Sequence, residues 1–146
     1  MLSERVGLEG KVVAVDPDGE RLKIARELYY ASNIEYIQAD DKTFPSGQYD
    51  LIFSNIVIHW ILNKEALFKH VYSNLRPGGS FAFTTFDGAQ TFPPVAQKVF
   101  SLIGPDFCHK MLHEKQVFLP ASEYQTLASD AGFSQVSVDT EDVVSY

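Results

Sequence analysis

The first strong pattern in the chain is an uninterrupted apolar run at residues 12–15, VVAV, in which most side chains are β-branched. Such a run is typical of a strand that is covered on both faces in a parallel sheet. Asp16 ends the run, and Pro17 cannot continue the strand pairing because it lacks an N–H. The pattern therefore predicts a buried strand that ends in an acid.

A helix and a second strand follow. Asp18 is a favourable N-cap for the helix. Apolar residues recur on one face of this helix at Leu22, Ala25 and Leu28. Residues 34–39, IEYIQA, then alternate apolar and polar side chains before Asp40 and Asp41. The second strand is thus expected to end in acids, as the first does.

The most apolar stretch of the chain is residues 49–58, YDLIFSNIVI. It predicts a central strand that ends near Phe53. Ser54 and Asn55 would then lie at the carboxyl end of that strand. The third strand therefore ends in an amide where the first two end in acids.

A second helix and a fourth strand come next. Asn63 can cap the helix, and its apolar face repeats at Leu67, Val71 and Leu75. Residues 77–79, PGG, are expected to end the helix. Residues 80–86, SFAFTTF, have the composition of a strand, with core residues alternating at Phe81, Phe83 and Phe86.

The remainder of the chain is less regular, and prolines interrupt it. Residues 95–103 can form a short helix, and Ser122 with Gln125 resembles a capping box that opens a helix ending at Gly132. Residues 135–139 alternate like a strand. The order of elements predicts one α/β domain, residues 1–146, built on a parallel sheet with right-handed crossovers.

The composition restricts the classes of molecule that the chain is expected to bind. The chain has 146 residues, a formal net charge of −7 and no lysine or arginine cluster. This argues against a nucleic-acid or anionic-membrane surface and favours a small-molecule partner. The single cysteine excludes an internal disulfide, and the chain lacks both a signal-peptide core and an apolar run of membrane-spanning length. We expect a soluble cytoplasmic protein.

Two groups of side chains offer chemistry. A carboxylate at the end of the first strand, Asp16, can accept two hydrogen bonds from a ribose diol, or it can merely cap the helix that follows. A second group has ligand-type side chains at Cys108, His109, His113 and Glu114. Two histidines at i, i+4 can share a helix face, but the irregular segment favours solvated or packing side chains, and we expect no metal.

Four segments together resemble the class I S-adenosylmethionine-dependent methyltransferases: VVAVDPDGERLKIAREL, IEYIQADD, YDLIFSNIVIHWI and LRPGGSFAFTTF. The resemblance implies a Rossmann-like, mostly parallel sheet with helices on both faces. The HW pair after the third strand is similar to the small-molecule carboxyl methyltransferases, including the trans-aconitate, malonyl-carrier-protein and juvenile hormone acid enzymes. S-adenosylmethionine is therefore the implied cofactor, and a small molecule, with a carboxylate as the finer expectation, is the implied methyl acceptor.

The resemblance also implies roles for individual residues. Asp16 would hold the ribose hydroxyls, and Asp40 would accept from the adenine amino group with the Asp41 amide nearby. Backbone around Asn55 and Ile56 would meet the methionine part, and Pro17 and Ile56 would sandwich the adenine. These assignments agree with the chemistry, because an ionised carboxylate is only an acceptor and suits a diol or an amine.

His59 and Trp60 are expected beside the acceptor. The indole N–H of Trp60 can donate to a carboxylate, and His59 can act as a donor or a catalytic base. The alternative is that both residues only pack the following helix. Direct methyl displacement needs alignment more than proton transfer, so a base is optional.

The sequence departs from the family at its ends. The family's first strand and glycine-rich loop are not found before residue 12, since GLEG at residues 7–10 lacks both the strand before it and the helix after it, and no clear final strand follows Asp139. We therefore expect a truncated domain with weak or absent cofactor affinity and open strand edges. Two alternatives are a non-catalytic methyltransferase-like subunit that pairs with a partner or a second copy through such an edge, and a NAD-dependent oxidoreductase.

Overall fold

The structure is a computed structural model that describes residues 2–87, 98, 102–103 and 117–141. The chain divides into two compact units, Met1–Ser46 and Gly47–Tyr146. The predicted helix at residues 95–103 lies mostly outside the described residues, as do all four side chains of the possible metal group, Cys108, His109, His113 and Glu114.

The first unit is a βαβ motif preceded by a short helix. Its elements are α1 (Leu2–Arg5), β1 (Val12–Asp16), α2 (Gly19–Leu28) and β2 (Ile34–Gln38). β1 and β2 are parallel, and their register runs from Val12 opposite Ile34 to Asp16 opposite Gln38. The predicted strands and helix are confirmed, although β2 ends one residue earlier than its alternation suggested.

Side-chain hydrogen bonds fix both ends of α2. Asp18 is the N-cap as predicted, and its Oδ1 accepts from the backbone N–H of Glu20 at 2.9 Å and of Arg21 at 3.2 Å. At the other end, the Tyr36 hydroxyl donates to the carbonyl of Tyr29 at 2.9 Å. Because Tyr36 belongs to β2, this bond ties the last turn of the helix to the strand pair.

The second unit holds the largest core. Its elements are β3 (Tyr49–Asn55), a 3₁₀ helix (Ile58–Trp60), α3 (Lys64–Ser73), β4 (Leu75–Thr84) and α4 (Ala121–Ala131). Asn63 caps α3 as predicted, accepting from the Ala66 N–H at 3.0 Å. The buried apolar side chains of this unit are Ile58, Leu67, Phe68, Val71, Tyr124 and Ala128.

β3 and β4 are also parallel, and the side chains on their two faces differ in exposure. On one face, Phe81 and Phe83 of β4 meet the fully buried ring of Phe68 edge-on, at centroid distances of 5.4 and 5.6 Å. On the other face, Leu51 and Phe53 of β3 are half exposed. The aromatic rings therefore pack β4 against α3.

The junction between α3 and β4 differs from the prediction. The helix ends at Ser73, well before the PGG sequence, and β4 begins at Leu75. Asn74 causes the early stop, because its Nδ2 donates back to the His70 carbonyl at 2.9 Å and its Oδ1 accepts from the Gly47 N–H at 2.9 Å. The proline and glycines therefore lie within the irregular start of β4, and Leu75 belongs to the strand.

Three further predictions were wrong. Pro120, with no side-chain hydrogen bond, is the N-cap of α4, so Ser122 already lies inside the helix and no capping box forms. Residues 135–139 form no strand, since no strand of the described residues pairs with them. Phe86 is half exposed, because it follows the end of β4 at Thr84 and strand alternation no longer directs it inward.

Gly132, at the end of α4, lies against the ring of Tyr72 in α3, so a substitution there tests how closely the two helices pack. Its φ is +111°, and a Cβ there would lie 2.8 Å from the ring of Tyr72. We expect Gly132→Ala to lower the free energy of unfolding by about 2–3 kcal/mol, from backbone strain and this clash together. Urea unfolding measures it.

Gly78 supplies the matched control, because its φ is +80° but a Cβ there meets nothing within 4 Å. Gly78→Ala should therefore cost only the strain of about 1–2 kcal/mol. Equal losses in the two variants would contradict the proposed contact with Tyr72.

Candidate functional site

The carboxyl end of β1 carries Asp16, whose side chain is only partly used by the fold. Its Oδ1 accepts from the Asp18 N–H at 2.8 Å, which shapes the turn into α2. Its Oδ2 makes no hydrogen bond within the described part of the chain. Asp16 therefore helps to build the turn, and it still has an oxygen with which to accept from a ligand.

Asp40 is more strongly engaged than Asp16. Its Oδ1 accepts from the Thr43 hydroxyl at 2.6 Å, the Thr43 N–H at 2.9 Å and the Lys42 N–H at 3.0 Å. The Thr43 hydroxyl, and after it the Lys42 N–H, hold the pKa of Asp40 below its ordinary value. The carboxylate is thus ionised at neutral pH, exposed, and fixed by its own loop.

The first unit brings its predicted ligand residues to one end. Asp16 pairs with Gln38 in the strand register, and the Ala39 N–H donates to the Asp16 carbonyl at 3.3 Å, so Asp40 and Asp41 follow directly beyond this pair. The Gln38 side chain also donates to the Pro17 carbonyl at 3.0 Å. Such an edge, with the half-buried Asp16 and the exposed Asp40 at strand ends, is suited to a polar ligand rich in hydroxyl and amino donors.

In the second unit, Asn55 and Ile56 lie where β3 ends. The Asn55 Oδ1 accepts from the Thr84 hydroxyl at 2.5 Å, and the Ile56 N–H donates to the Thr84 carbonyl at 2.9 Å. Ile56 has φ +55°, the one positive value found for a non-glycine among the described residues. A β-branched residue strongly disfavours this conformation, and such strain concentrates at functional sites.

His59 and Trp60 are adjacent but differ in exposure. His59 is 3% exposed, whereas Trp60 is 52% exposed. Burial, and after it the nearby Lys64 ammonium, lower the pKa of His59, so its imidazole is neutral at pH 7. Trp60 can therefore meet a ligand from solvent directly, and His59 lies in the interior beneath the surface.

Several residues near this end were missed by sequence reasoning. Thr84, Thr85 and Phe118 all contact predicted site residues, and Lys64 is buried with its Nζ donating to the Ile61 carbonyl at 2.7 Å. The threonine pair had a usable signal, since hydroxyls at the end of a parallel strand lie beside the end of its neighbour. Phe118 had none, because it comes from a distant part of the chain.

The described residues contain no group of three or more His, Cys, Asp or Glu side chains arranged to hold a metal ion.

None of the helices in the described residues has the length and apolar character needed to cross a membrane.

Parallel α/β units with polar strand ends define a Rossmann-like ligand-binding protein as the broad class. Residues 1–83 match the family described as "Methyltransferase domain", and the chain belongs to this family. The predicted resemblance to class I methyltransferases is confirmed, and S-adenosylmethionine is the cofactor of that class. The family also sets aside the NAD-dependent oxidoreductase alternative.

The chain is similar to two curated enzymes. It is 37% identical over 99 residues to malonyl-[acyl-carrier protein] O-methyltransferase 2 of Ilyobacter polytropus, covering 67% of this chain and 36% of the relative. It is 28% identical to trans-aconitate 2-methyltransferase of Azoarcus sp., in an alignment that covers 85% of this chain and 55% of the relative. The matched region thus spans between about a third and a little over half of these relatives.

A solved structure supports the fold. The S-adenosylmethionine-dependent methyltransferase from Mesorhizobium loti superposes with a TM-score of 0.64 at 22% identity, covering 84% of this chain and 63% of that one. The predicted Rossmann-like α/β class with parallel strands is therefore confirmed.

The strain at Ile56 gives a prediction. Asparagine tolerates a positive φ far better than isoleucine, so we expect Ile56→Asn to raise the free energy of unfolding by about 1 kcal/mol. Chemical denaturation monitored by circular dichroism measures it. Val57 is similarly exposed but has φ −122°, so Val57→Asn should lower stability. A loss of stability in Ile56→Asn as large as that in Val57→Asn would show that the strain is not released.

Proposed function

We propose that this chain is the cofactor- and acceptor-contacting part of an S-adenosylmethionine-dependent methyltransferase that acts on a small-molecule carboxylate. The observation that carries the proposal is Asp16, a carboxylate at the end of a parallel strand with one oxygen left for a ligand. Family membership supplies the class of reaction. The acceptor and the role of each residue are our inferences.

The donor and acceptor groups in the first unit suit the adenosine part of the cofactor. Asp16 would accept from the ribose hydroxyls through Oδ2, while Oδ1 keeps its bond to Asp18. Asp40 would accept from the adenine amino group through the oxygen that its own loop leaves unused. Asp41 would offer its N–H nearby, and Pro17 would supply an apolar surface for the ring.

The residues at the end of β3 suit the rest of the cofactor. Asn55 keeps its amide Nδ2 as a donor, because the Thr84 hydroxyl occupies only Oδ1. The Ile56 N–H is committed to the Thr84 carbonyl, so Ile56 would offer its own carbonyl to the methionine part. Trp60 would donate its indole N–H to the carboxylate of the acceptor.

Methyl transfer to a carboxylate requires few catalytic groups from the protein. When bound, S-adenosylmethionine supplies an electrophilic methyl group on a sulfonium. A carboxylate acceptor has a pKa near about 4 and is already ionised at pH 7, so no base has to remove a proton. The protein's tasks are then to orient the acceptor and exclude water. This agrees with a buried, neutral His59, although its predicted role as a base stays untested.

The names of the relatives favour a carboxylate. Trans-aconitate and the malonyl group both denote carboxylic acids, and the chain is similar to enzymes named for each. The single indole N–H of the exposed Trp60 fits a carboxylate oxygen better than a carbon nucleophile, because the oxygen has lone pairs that accept a hydrogen bond.

A second candidate is a non-catalytic methyltransferase-like subunit. Within the described residues, β1 pairs only with β2 and β3 only with β4. A strand with an unpaired edge can accept a strand from a partner or from a second copy. The transfer assay below separates the two candidates, because only the enzyme yields a methylated product.

Removing the charge of Asp16 tests the cofactor assignment. In ¹H–¹⁵N NMR spectra, we expect S-adenosylhomocysteine to shift the amides of residues 16–19 and 40–43. Asp16→Asn should weaken this binding at least about tenfold, the usual effect of losing a charged hydrogen bond. Micromolar binding by the unmodified chain would support the assignment and contradict the weakened affinity expected from the sequence.

Asp18→Asn is the matched control. It removes a charge from the same turn, but asparagine caps a helix as well as aspartate does. It should leave binding unchanged. Equal weakening in both variants, or no amide shifts at millimolar S-adenosylhomocysteine, would overturn the cofactor assignment.

Trp60→Phe tests the acceptor assignment. With radiolabelled S-adenosylmethionine and trans-aconitate, we expect a base-labile methyl ester, and we expect the substitution to raise the acceptor KM about tenfold because one hydrogen bond to a charged group is lost. Tyr30→Phe, at an exposed aromatic of the first unit, is the control. Failure of every carboxylic acid tried to yield an ester would favour the non-catalytic candidate.

A further inference from the structure

His59 joins three separate stretches of the second unit. Its Nδ1 lies 3.3 Å from the Thr85 Oγ1, within hydrogen-bonding distance. Its backbone carbonyl accepts from the Val117 N–H at 2.8 Å. One residue thus links the 3₁₀ helix after β3, the end of β4 and the segment that leads into α4.

Aromatic side chains hold the imidazole on two further sides. The ring of Phe118 stacks on it at a centroid distance of 5.2 Å with 14° between the planes. The ring of Phe86 meets it edge-on at 5.3 Å. These contacts leave the imidazole 3% exposed, although it lies one residue from a half-exposed tryptophan.

Trp60 itself has few contacts within the described residues. Its backbone N–H donates to the Val57 carbonyl at 2.9 Å, which fixes the backbone of the 3₁₀ turn. The centroid of its indole ring lies 5.5 Å from that of the His59 imidazole, with 40° between the two planes. The direction of the indole therefore depends on how firmly His59 holds the turn.

We propose that His59 is a positioning residue, which fixes the indole of Trp60 through its bond to Thr85 and its contact with Phe118. It acts through Trp60, and it neither contacts the acceptor nor removes a proton. The inference rests on the proposed function for the role of Trp60. The holding of the indole by His59 is a separate claim, which can be measured without any ligand.

The single tryptophan of the chain makes the test direct, because all indole fluorescence comes from Trp60. Two variants delete the same bond: Thr85→Val keeps the shape of Thr85, and His59→Phe keeps an aromatic ring between Phe118 and Phe86. In each, we expect the acrylamide quenching constant of Trp60 to rise at least about twofold and its fluorescence anisotropy to fall. The double variant should show no larger effect than either single variant, because only one bond is lost.

Two controls separate positioning from general loosening. Thr85→Ser keeps the hydroxyl and should behave like the unmodified chain. Thr126→Val removes a hydroxyl that bonds to the Ser122 carbonyl, far along the chain in α4, and should leave quenching unchanged.

Unchanged quenching in both Thr85→Val and His59→Phe, with native circular dichroism, would overturn the proposal. Equal increases in Thr126→Val would do the same. If Thr85→Val fails to fold, His59→Phe against Thr85→Ser still decides the question. Absence of S-adenosylhomocysteine binding would sink the proposed function and leave this result intact, so the two failures are distinguishable.

Discussion

Parallel pairing of short strands is the constraint on which both candidate regions depend. Neighbouring parallel strands run in the same direction, so the polar residues that follow them collect at one edge. In the first unit, the register that sets Asp16 opposite Gln38 also sets Asp40 just beyond it. In the second unit, the register sets Asn55 opposite Thr84. The strand register and the number of residues between each polar group and its strand end therefore determine where that group lies. No bound ligand is needed to place it.

Asp16, Asp40 and Asn55 each use one side-chain oxygen for hydrogen bonds within the fold. One oxygen of Asp16 accepts from the Asp18 N–H, and one oxygen of Asp40 accepts three hydrogen bonds from its own loop. The Asn55 oxygen accepts from the Thr84 hydroxyl. Holding one atom in the fold orients the other, so the remaining acceptor or donor is pre-organised. The choice between a capping acid and a ligand-binding acid, which the sequence left open for Asp16, is therefore not exclusive.

Local patterns were sufficient to predict the elements that carry these groups. The βαβ unit, the caps at Asp18 and Asn63 and the end of α4 at Gly132 all follow from side chains near one another in sequence. Errors arose where a distant partner decides the outcome. Asn74 ends α3 early by bonding to Gly47, and residues 135–139 alternate correctly but have no described strand beside them. The aromatic enclosure of His59 likewise depends on Phe118, about sixty residues away.

The opposite exposures of His59 and Trp60 follow from the turn at Ile56. A positive φ at a β-branched residue costs about 1–3 kcal/mol, and nothing in the residue itself offsets that cost. The turn redirects the chain as it leaves β3, and Ile58 then enters the core, where it is 1% exposed. Full burial of an isoleucine contributes about 1.5–3 kcal/mol, which is enough to sustain the strain. The same change of direction carries His59 inward with Ile58 and leaves Trp60 facing solvent.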